Sequence, residues 1–193
     1  MQRLDHPKGG MSREELRAAL SLSSVYALRM LGLFMILPVF ALYAVDLEGV
    51  TPALTGLAIG IYGLTQALLQ IPAGLLSDCI GRKPVIVGGL LVFALGSVVA
   101  AMADNMLVVI LGRALQGAGA IAAAIMALAA DLTREEHRIK AMALIGMSIG
   151  LSFAAAIVLG PVLNEWVGVP GIFAITAVLA LGGILVVIFV VPR

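Results

Sequence analysis

The 193-residue chain is 62% hydrophobic and only 12% charged, and its formal net charge is +1. With a mean hydropathy of +1.13, this composition excludes a water-soluble fold, because too few polar residues remain to cover a soluble surface. The single cysteine, Cys79, excludes an intrachain disulfide, and no Cys/His cluster offers a metal site. The near-neutral charge gives no reason to expect a nucleic-acid partner. We therefore expect an integral protein of the lipid bilayer without a metal or other cofactor.

Six apolar runs have the length of membrane-spanning helices, which need about 20 residues to cross a hydrocarbon core about 30 Å thick. They follow a polar N-terminal segment, residues 1–18, and cover residues 19–45, 53–76, 84–103, 105–130, 141–163 and 168–191. Transmembrane β-strands are about half as long and alternate between apolar and polar residues. The sequence therefore predicts an all-α bundle of six transmembrane helices, residues 19–193, after a cytoplasmic N-terminal segment.

The loops between the predicted spans differ in charge on the two sides of the membrane. On one side, the charged residues of the loops are all acidic: Asp46, Glu48, Asp104 and Glu165. Ten of the 12 basic residues lie on the other side: Arg3, Lys8, Arg13, Arg17, Arg82, Lys83, Arg134, Arg138, Lys140 and Arg193. Because basic loops stay in the cytoplasm, this asymmetry predicts a multi-pass protein with both termini of the chain cytoplasmic.

A few polar side chains lie inside the predicted spans. A charge at the bilayer centre costs about 2.5–3.5 kcal/mol and normally faces a partner or a polar cavity, although Arg29 could also reach back to the interface. Tyr62, Gln66 and Gln70 are spaced by four residues and share one helix face, which suits either interhelical hydrogen bonds or a cavity wall. The candidates for a substrate cavity are Arg29, Tyr62, Gln66, Gln70, Arg113 and Gln116.

No set of residues supports catalysis. Residues Gly146–Gly150 match the G-x-S-x-G pattern of serine hydrolases, but that motif needs a strand-to-helix turn, and here it lies in an apolar helix. The only histidines, His6 and His137, lie in the predicted cytoplasmic segments, too far from Ser148 to serve as its base. We therefore predict that the chain is not an enzyme.

The turn after the second predicted span is unusually ordered. Gly81 permits the positive φ of a tight turn, and Pro84 suits the first turn of the next helix. Asp78 and Arg82 can pair across the turn, and Gly74 allows another helix to approach closely. A solvated connector would need none of this combination.

This turn resembles the signature G-x-L-x-D-x-x-G-R-K of the major facilitator superfamily, with Cys79 where a basic residue is usual. Three further segments are similar to motifs of that superfamily's drug:proton antiporter branch. They are Leu31–Val39 in the first span, Leu111–Gly119 with Arg113 in the fourth, and Gly150, Gly160 and Pro161 in the fifth. The resemblance covers essentially the whole chain and implies the N-terminal half of a twelve-span transporter, built from two inverted three-helix repeats.

The resemblance also implies a function. It implies proton-coupled export of small molecules across a bacterial inner membrane by alternating access, with a C-terminal six-helix half as partner. The resemblance implies that Asp78, Arg82 and Asp131 form a charge relay that closes the cytoplasmic side while the transporter faces outward. The candidates for the signature turn and this relay together are Gly74, Asp78, Gly81, Arg82, Lys83 and Asp131. A self-contained six-span protein that dimerises or acts as a scaffold without transport remains the alternative.

Overall fold

The computed structural model describes residues 10–192 of the chain, which form helices joined by short turns. Arg3, Lys8 and Arg193, three of the predicted cytoplasmic basic residues, lie outside that range. The α-helices are α1 (Arg13–Ala44), α2 (Pro52–Ile80), α3 (Arg82–Ala101), α4 (Met106–Ala118), α5 (Ala122–Asp131) and α6 (Arg138–Phe189), and the 3-10 turn Glu135–His137 precedes α6. Within residues 10–192 no β-strand forms, and Glu48 and Asn105 make a single isolated bridge. The predicted all-α architecture is confirmed.

Polar residues before the helices fix where several of them begin. Ser12 Oγ accepts a hydrogen bond from the Glu15 backbone N–H at 3.1 Å, and the Glu15 carboxylate accepts one from the Ser12 N–H at 2.7 Å. This reciprocal pair is a capping box, which satisfies two otherwise unpaired donors at the start of α1. Thr51 and Asn105 cap α2 and α4 in the simpler one-bond form.

Five helical stretches among the described residues are long and apolar enough to cross a membrane. The fourth, Met106–Asp131, contains α4 and α5, which are separated by a break at residues 119–121. The fifth, Glu135–Phe189, contains the predicted span 141–163 and most of the predicted span 168–191. Gly168 interrupts its helix with φ 67° and ψ 176°, a conformation open to glycine and strained for other residues. It divides α6 into two segments, residues 138–167 and 169–189.

Close backbone approaches hold the bundle together at glycines. A Cβ on Gly117 of α4 would collide with the carbonyl oxygen of Tyr62 in α2, and one on Gly160 of α6 would collide with the carbonyl oxygen of Met35 in α1. These helix pairs can approach so closely because glycine has no side chain, as is common at contacts between membrane helices.

The buried core follows α1, α3 and α6. Its largest fully buried side chains include Phe40, Phe93 and Phe173, one from each of these helices. In contrast, α2 buries only Ala58, Tyr62 and Ser77 against the rest of the chain. Most of α2 is therefore an uncovered and largely apolar face.

Candidate functional site

The interior of the bundle contains a connected set of polar side chains, which we call the arginine network: Arg29, Tyr62, Gln66, Ser97, Arg113 and Gln116. It joins α1, α2, α3 and α4. Five of its six members were predicted as cavity residues, and the structure brings these five together.

Arg29 lies at the α1 side of the network and is fully buried, so it does not reach back to the interface. Its Nη2 donates to Gln66 Oε1 and to the backbone carbonyl of Gly119, each at 3.1 Å. The guanidinium also lies 5.0 Å from the ring centroid of Phe93, within range of a cation–π interaction. Its Nε and Nη1 have no hydrogen-bond partner among residues 10–192.

Arg113 lies at the α4 side of the network and is 2% exposed. Its Nη1 donates to Gln116 Oε1 at 2.9 Å, and Gln116 Nε2 donates to Ser97 Oγ at 2.7 Å. Tyr62 connects the α1 side of the network to the α4 side. The Arg113 guanidinium lies 4.9 Å from the centroid of the Tyr62 ring, and the Tyr62 hydroxyl donates to Gln66 Oε1 at 2.6 Å. Neither Arg29 nor Arg113 forms an ion pair with a residue of the described range, so neutral groups alone stabilise both charges there.

Gln70, the remaining predicted cavity residue, lies two helical turns from Tyr62 on α2. It is partly buried, and its Oε1 has no hydrogen-bond partner within the described residues. The structure therefore places it on the predicted face without joining it to the network.

A second polar group, which we call the turn cluster, lies at one end of the bundle: Ser77, Asp78, Arg82 and Asp131. Arg82 Nε donates to Asp131 Oδ2 at 3.2 Å, its Nη1 donates to Ser77 Oγ at 2.7 Å, and it also forms a salt bridge with Asp78. The two aspartate side chains are 56% exposed. The turn between α2 and α3 is thus tied to the last residue of α5.

The glycines and the lysine of this turn have local roles. Gly81 has φ 97°, which supplies the expected positive-φ turn. A Cβ on Gly74 would lie 3.3 Å from Ala123 Cβ, so α2 and α5 approach closely there. Lys83 Nζ donates to the backbone carbonyl of Val191 at 2.7 Å and so holds the end of the α6 region.

The chain matches a known protein family and several named transporters. Residues 22–193 match the family described as Major Facilitator Superfamily. The chain belongs to this superfamily. It is 59% identical over 183 residues to the inner membrane transport protein YajR of Escherichia coli strain K12, covering 95% of this chain and 40% of that protein. Membership in a transporter family confirms that the chain is not an enzyme.

One further relative supports the assignment, and one solved structure matches the fold. An uncharacterized transporter of Buchnera aphidicola subsp. Schizaphis graminum is 45% identical over 178 residues, which are 92% of this chain and 46% of that protein. The crystal structure of the human organic anion transporter MFSD10 matches the fold with a TM-score of 0.75 at 21% identity, over 94% of this chain and 48% of that one. The chain spans about half the length of the curated relatives it matches.

The residues that were predicted to form a fifth-helix motif, Gly150, Gly160 and Pro161, lie in the first segment of α6. Gly160 packs against Met35, as described above, whereas a Cβ on Gly150 would meet open space. Pro161 is exposed within the helix. The structure thus gives Gly160 a packing role and leaves Gly150 on an open face.

Sequence reasoning missed a third polar group, the Glu15 cluster of Ser12, Glu15, Arg134 and His137. Arg134 donates to Glu15 through its backbone N–H and Nε, both at 2.9 Å, and His137 Nδ1 lies 3.4 Å from Glu15 Oε2. Hydrogen bonds from the Arg134 side chain, then from the Ser12 backbone, hold the pKa of Glu15 well below its usual range. The spacing Ser12-x-x-Glu15 could have indicated the cap, but no local pattern indicated Arg134.

Proposed function

We propose that the chain is the N-terminal half of a twelve-span secondary transporter and crosses the membrane six times. At about 1.5 Å per residue, α6 would measure roughly 78 Å as one straight helix, more than twice the thickness of a hydrocarbon core. The interruption at Gly168 leaves two segments that are each long enough for one crossing. Helices α1–α3 then form one repeat, and α4–α6 form a second repeat of inverted topology.

The proposed orientation places the turn cluster and both termini of the chain in the cytoplasm. The basic residues of the loops support this orientation by the positive-inside rule. The similarity to YajR, an inner membrane transport protein of Escherichia coli, supports a bacterial inner membrane.

The proposed partner within the protein is a C-terminal six-helix half. The uncovered face of α2 supports this partner, because leucines such as Leu68 and Leu75 are more than 60% exposed in this chain. A second copy of the chain would cover the same face in the alternative function, a dimeric six-span protein without transport.

The arginine network is the observation that carries the transport proposal. It ties four helices together at membrane depth through hydrogen bonds, so these helices can move as one rigid wall during alternating access. The turn cluster suits a reversible closure of the cytoplasmic side, because half-exposed ion pairs contribute only about 0–1 kcal/mol each and break at little cost.

We propose small amphipathic molecules as the substrates and protons as the coupling ions. Two apolar grooves of about 380 Å³ each run between α1 and the first segment of α6, and Ala27 and Leu151 line both of them. They offer an apolar wall to such molecules, and the similarity to antiporter motifs supports coupling to protons.

Transport by the full-length protein in proteoliposomes tests this function. We expect an imposed pH gradient to drive saturable movement of a fluorescent amphipathic dye. Arg113→Gln should reduce this movement, and the matched variant Arg138→Gln should not, because Arg138 is exposed and outside the network. Dye movement at the same rate with and without the pH gradient would contradict proton coupling. Saturable transport by the 193-residue chain as a monomer would contradict the proposal that the chain is half of a transporter.

A further inference from the structure

A groove between the start of α1 and the end of α6 combines an apolar floor with two charges. Its volume is about 480 Å³. Leu16 and Leu20 of α1 line it on one side, and Val186 and Val190 of the α6 end line it on the other. This groove is separate from the arginine network and the turn cluster. It shares Ser24 with both grooves described above and Leu20 with one of them.

Two arginines lie at one end of this groove. Arg13 and Arg17 are one helical turn apart, so their side chains emerge on the same face of α1. Both are exposed, and neither forms an ion pair with any residue between 10 and 192. Among the residues that the structure describes, no acidic side chain lines the groove.

The groove continues from the arginines along the helix axis to Ser24. From Arg13 to Ser24 this distance is about 16 Å at 1.5 Å per residue. The groove therefore has two positive charges at the N-terminal end of α1 and an apolar floor that runs from there toward the middle of the membrane.

We propose that this groove binds one anionic phospholipid, whose phosphate pairs with Arg13 and Arg17 and whose acyl chain lies on the apolar floor. Charge complementarity selects this occupant. A guanidinium matches the geometry of a phosphate better than an ammonium group does, and the unpaired positive charges disfavour both a neutral lipid and a second copy of the same basic surface. The acyl chain distinguishes this ligand from a free phosphate, because only a lipid uses the floor.

Native mass spectrometry of the full-length protein tests the proposal, with phosphatidylglycerol and phosphatidylcholine as probes. A basic residue near a membrane surface favours anionic lipid by about fivefold, so two arginines predict a preference of roughly 30-fold for phosphatidylglycerol. The double variant Arg13→Gln/Arg17→Gln should abolish most of this preference. The matched double variant Arg138→Gln/Lys140→Gln removes two exposed charges at the same end of the bundle and should keep it.

A third variant tests the floor of the groove. Val190→Trp fills the channel without changing a charge and should weaken retention of both lipids. Three results would overturn the proposal: an unchanged preference in the Arg13/Arg17 variant, an equal loss in the control variant, or full displacement of the lipid by glycerol phosphate at the same concentration. Loss of bound lipid in favour of a dimer formed through this face would also overturn it.

Discussion

Replacement of Arg82 by alanine is the sharpest test of the turn cluster. Arg82 is the only basic member of the cluster, and it contacts Ser77, Asp78 and Asp131 at once. The variant Arg82→Ala leaves two carboxylates facing each other and removes the connection between the α2–α3 turn and the end of α5. We therefore expect Arg82→Ala to destabilise every conformation in which the turn cluster is formed.

The magnitude follows from the exposure of the partners. Each exposed ion pair contributes about 0.2–1 kcal/mol, and the hydrogen bond to the buried Ser77 hydroxyl contributes about 0.5–1.5 kcal/mol. For the two ion pairs and the hydrogen bond together the sum is about 0.9–3.5 kcal/mol, which corresponds to roughly a 5- to 300-fold change in an equilibrium constant. For a chain of 193 residues this predicts a melting midpoint about 2–14 °C lower, and for the longer full-length protein a smaller decrease.

Thermal unfolding of the purified full-length protein gives the stability, and dye transport in proteoliposomes gives the activity. The matched control is Arg138→Ala, since Arg138 is exposed at the same end and, within residues 10–192, donates only to the backbone carbonyl of Ala130. We expect normal membrane insertion, a lower melting midpoint and reduced transport for Arg82→Ala alone. Exchange of the charges at Arg82 and Asp131 should restore part of both. If Arg82→Ala melts and transports like the Arg138→Ala control, the cluster is a hydrated loop and the reasoning fails.

Three further predictions concern the ends and the interior of the bundle. Cys79 is exposed at the end of α2, so a membrane-impermeant maleimide should label it in right-side-out vesicles only after the membrane is opened; labelling from outside would reverse the proposed orientation. The pKa of Glu15 is lowered in the folded protein, so its stabilising contribution is complete above the ordinary carboxyl value of about 4.3 and declines as the pH falls below that value. The variant Glu15→Gln should lower the melting midpoint at neutral pH and flatten its decline in acid, and an unaltered acid profile would contradict this role. Gly117→Ala should cost about 1–3 kcal/mol by overpacking against Tyr62, whereas Gly146→Ala, which meets open space, should be neutral or stabilising; equal melting of the two variants would disprove close packing at Gly117.

Local patterns predicted much of the site, because they depend on neighbours along the chain. Apolar length predicted the helices, and the four-residue spacing of Tyr62 and Gln66 predicted the shared face on which their hydrogen bond forms. The positive φ of Gly81 also follows from a local requirement, since the chain turns sharply between α2 and α3. The resemblance to the superfamily predicted that Asp131 joins this turn, which spacing alone does not indicate.

Sequence patterns could not predict which residues meet across the bundle. Arg29 donates to the carbonyl of Gly119, 90 residues away, and that carbonyl lies at a helix break whose position depends on packing against α3. Ser97 was missed for a related reason, because a single hydroxyl in an apolar helix usually bonds to its own backbone, and Ser97 does so while also accepting from Gln116. The contact between Glu15 and Arg134 spans 119 residues.

The two arginine-based groups are connected through α5. This helix has only ten residues, about 15 Å of length, and side chains from other helices hold both of its ends. Arg29 donates to the carbonyl of Gly119 just before α5 begins, and Arg82 bonds to Asp131, where α5 ends. A helix this short is rigid compared with the turns around it, so a displacement at Asp131 shifts the break at residues 119–121 as well. Because two donors of Arg29 already lack partners in the described chain, loss of the Gly119 contact would leave a buried charge with Gln66 as its remaining hydrogen-bond acceptor. We therefore expect that breaking the turn cluster raises the energy of the interior network. This coupling would give the closure proposed for that end of the bundle a physical route to its interior.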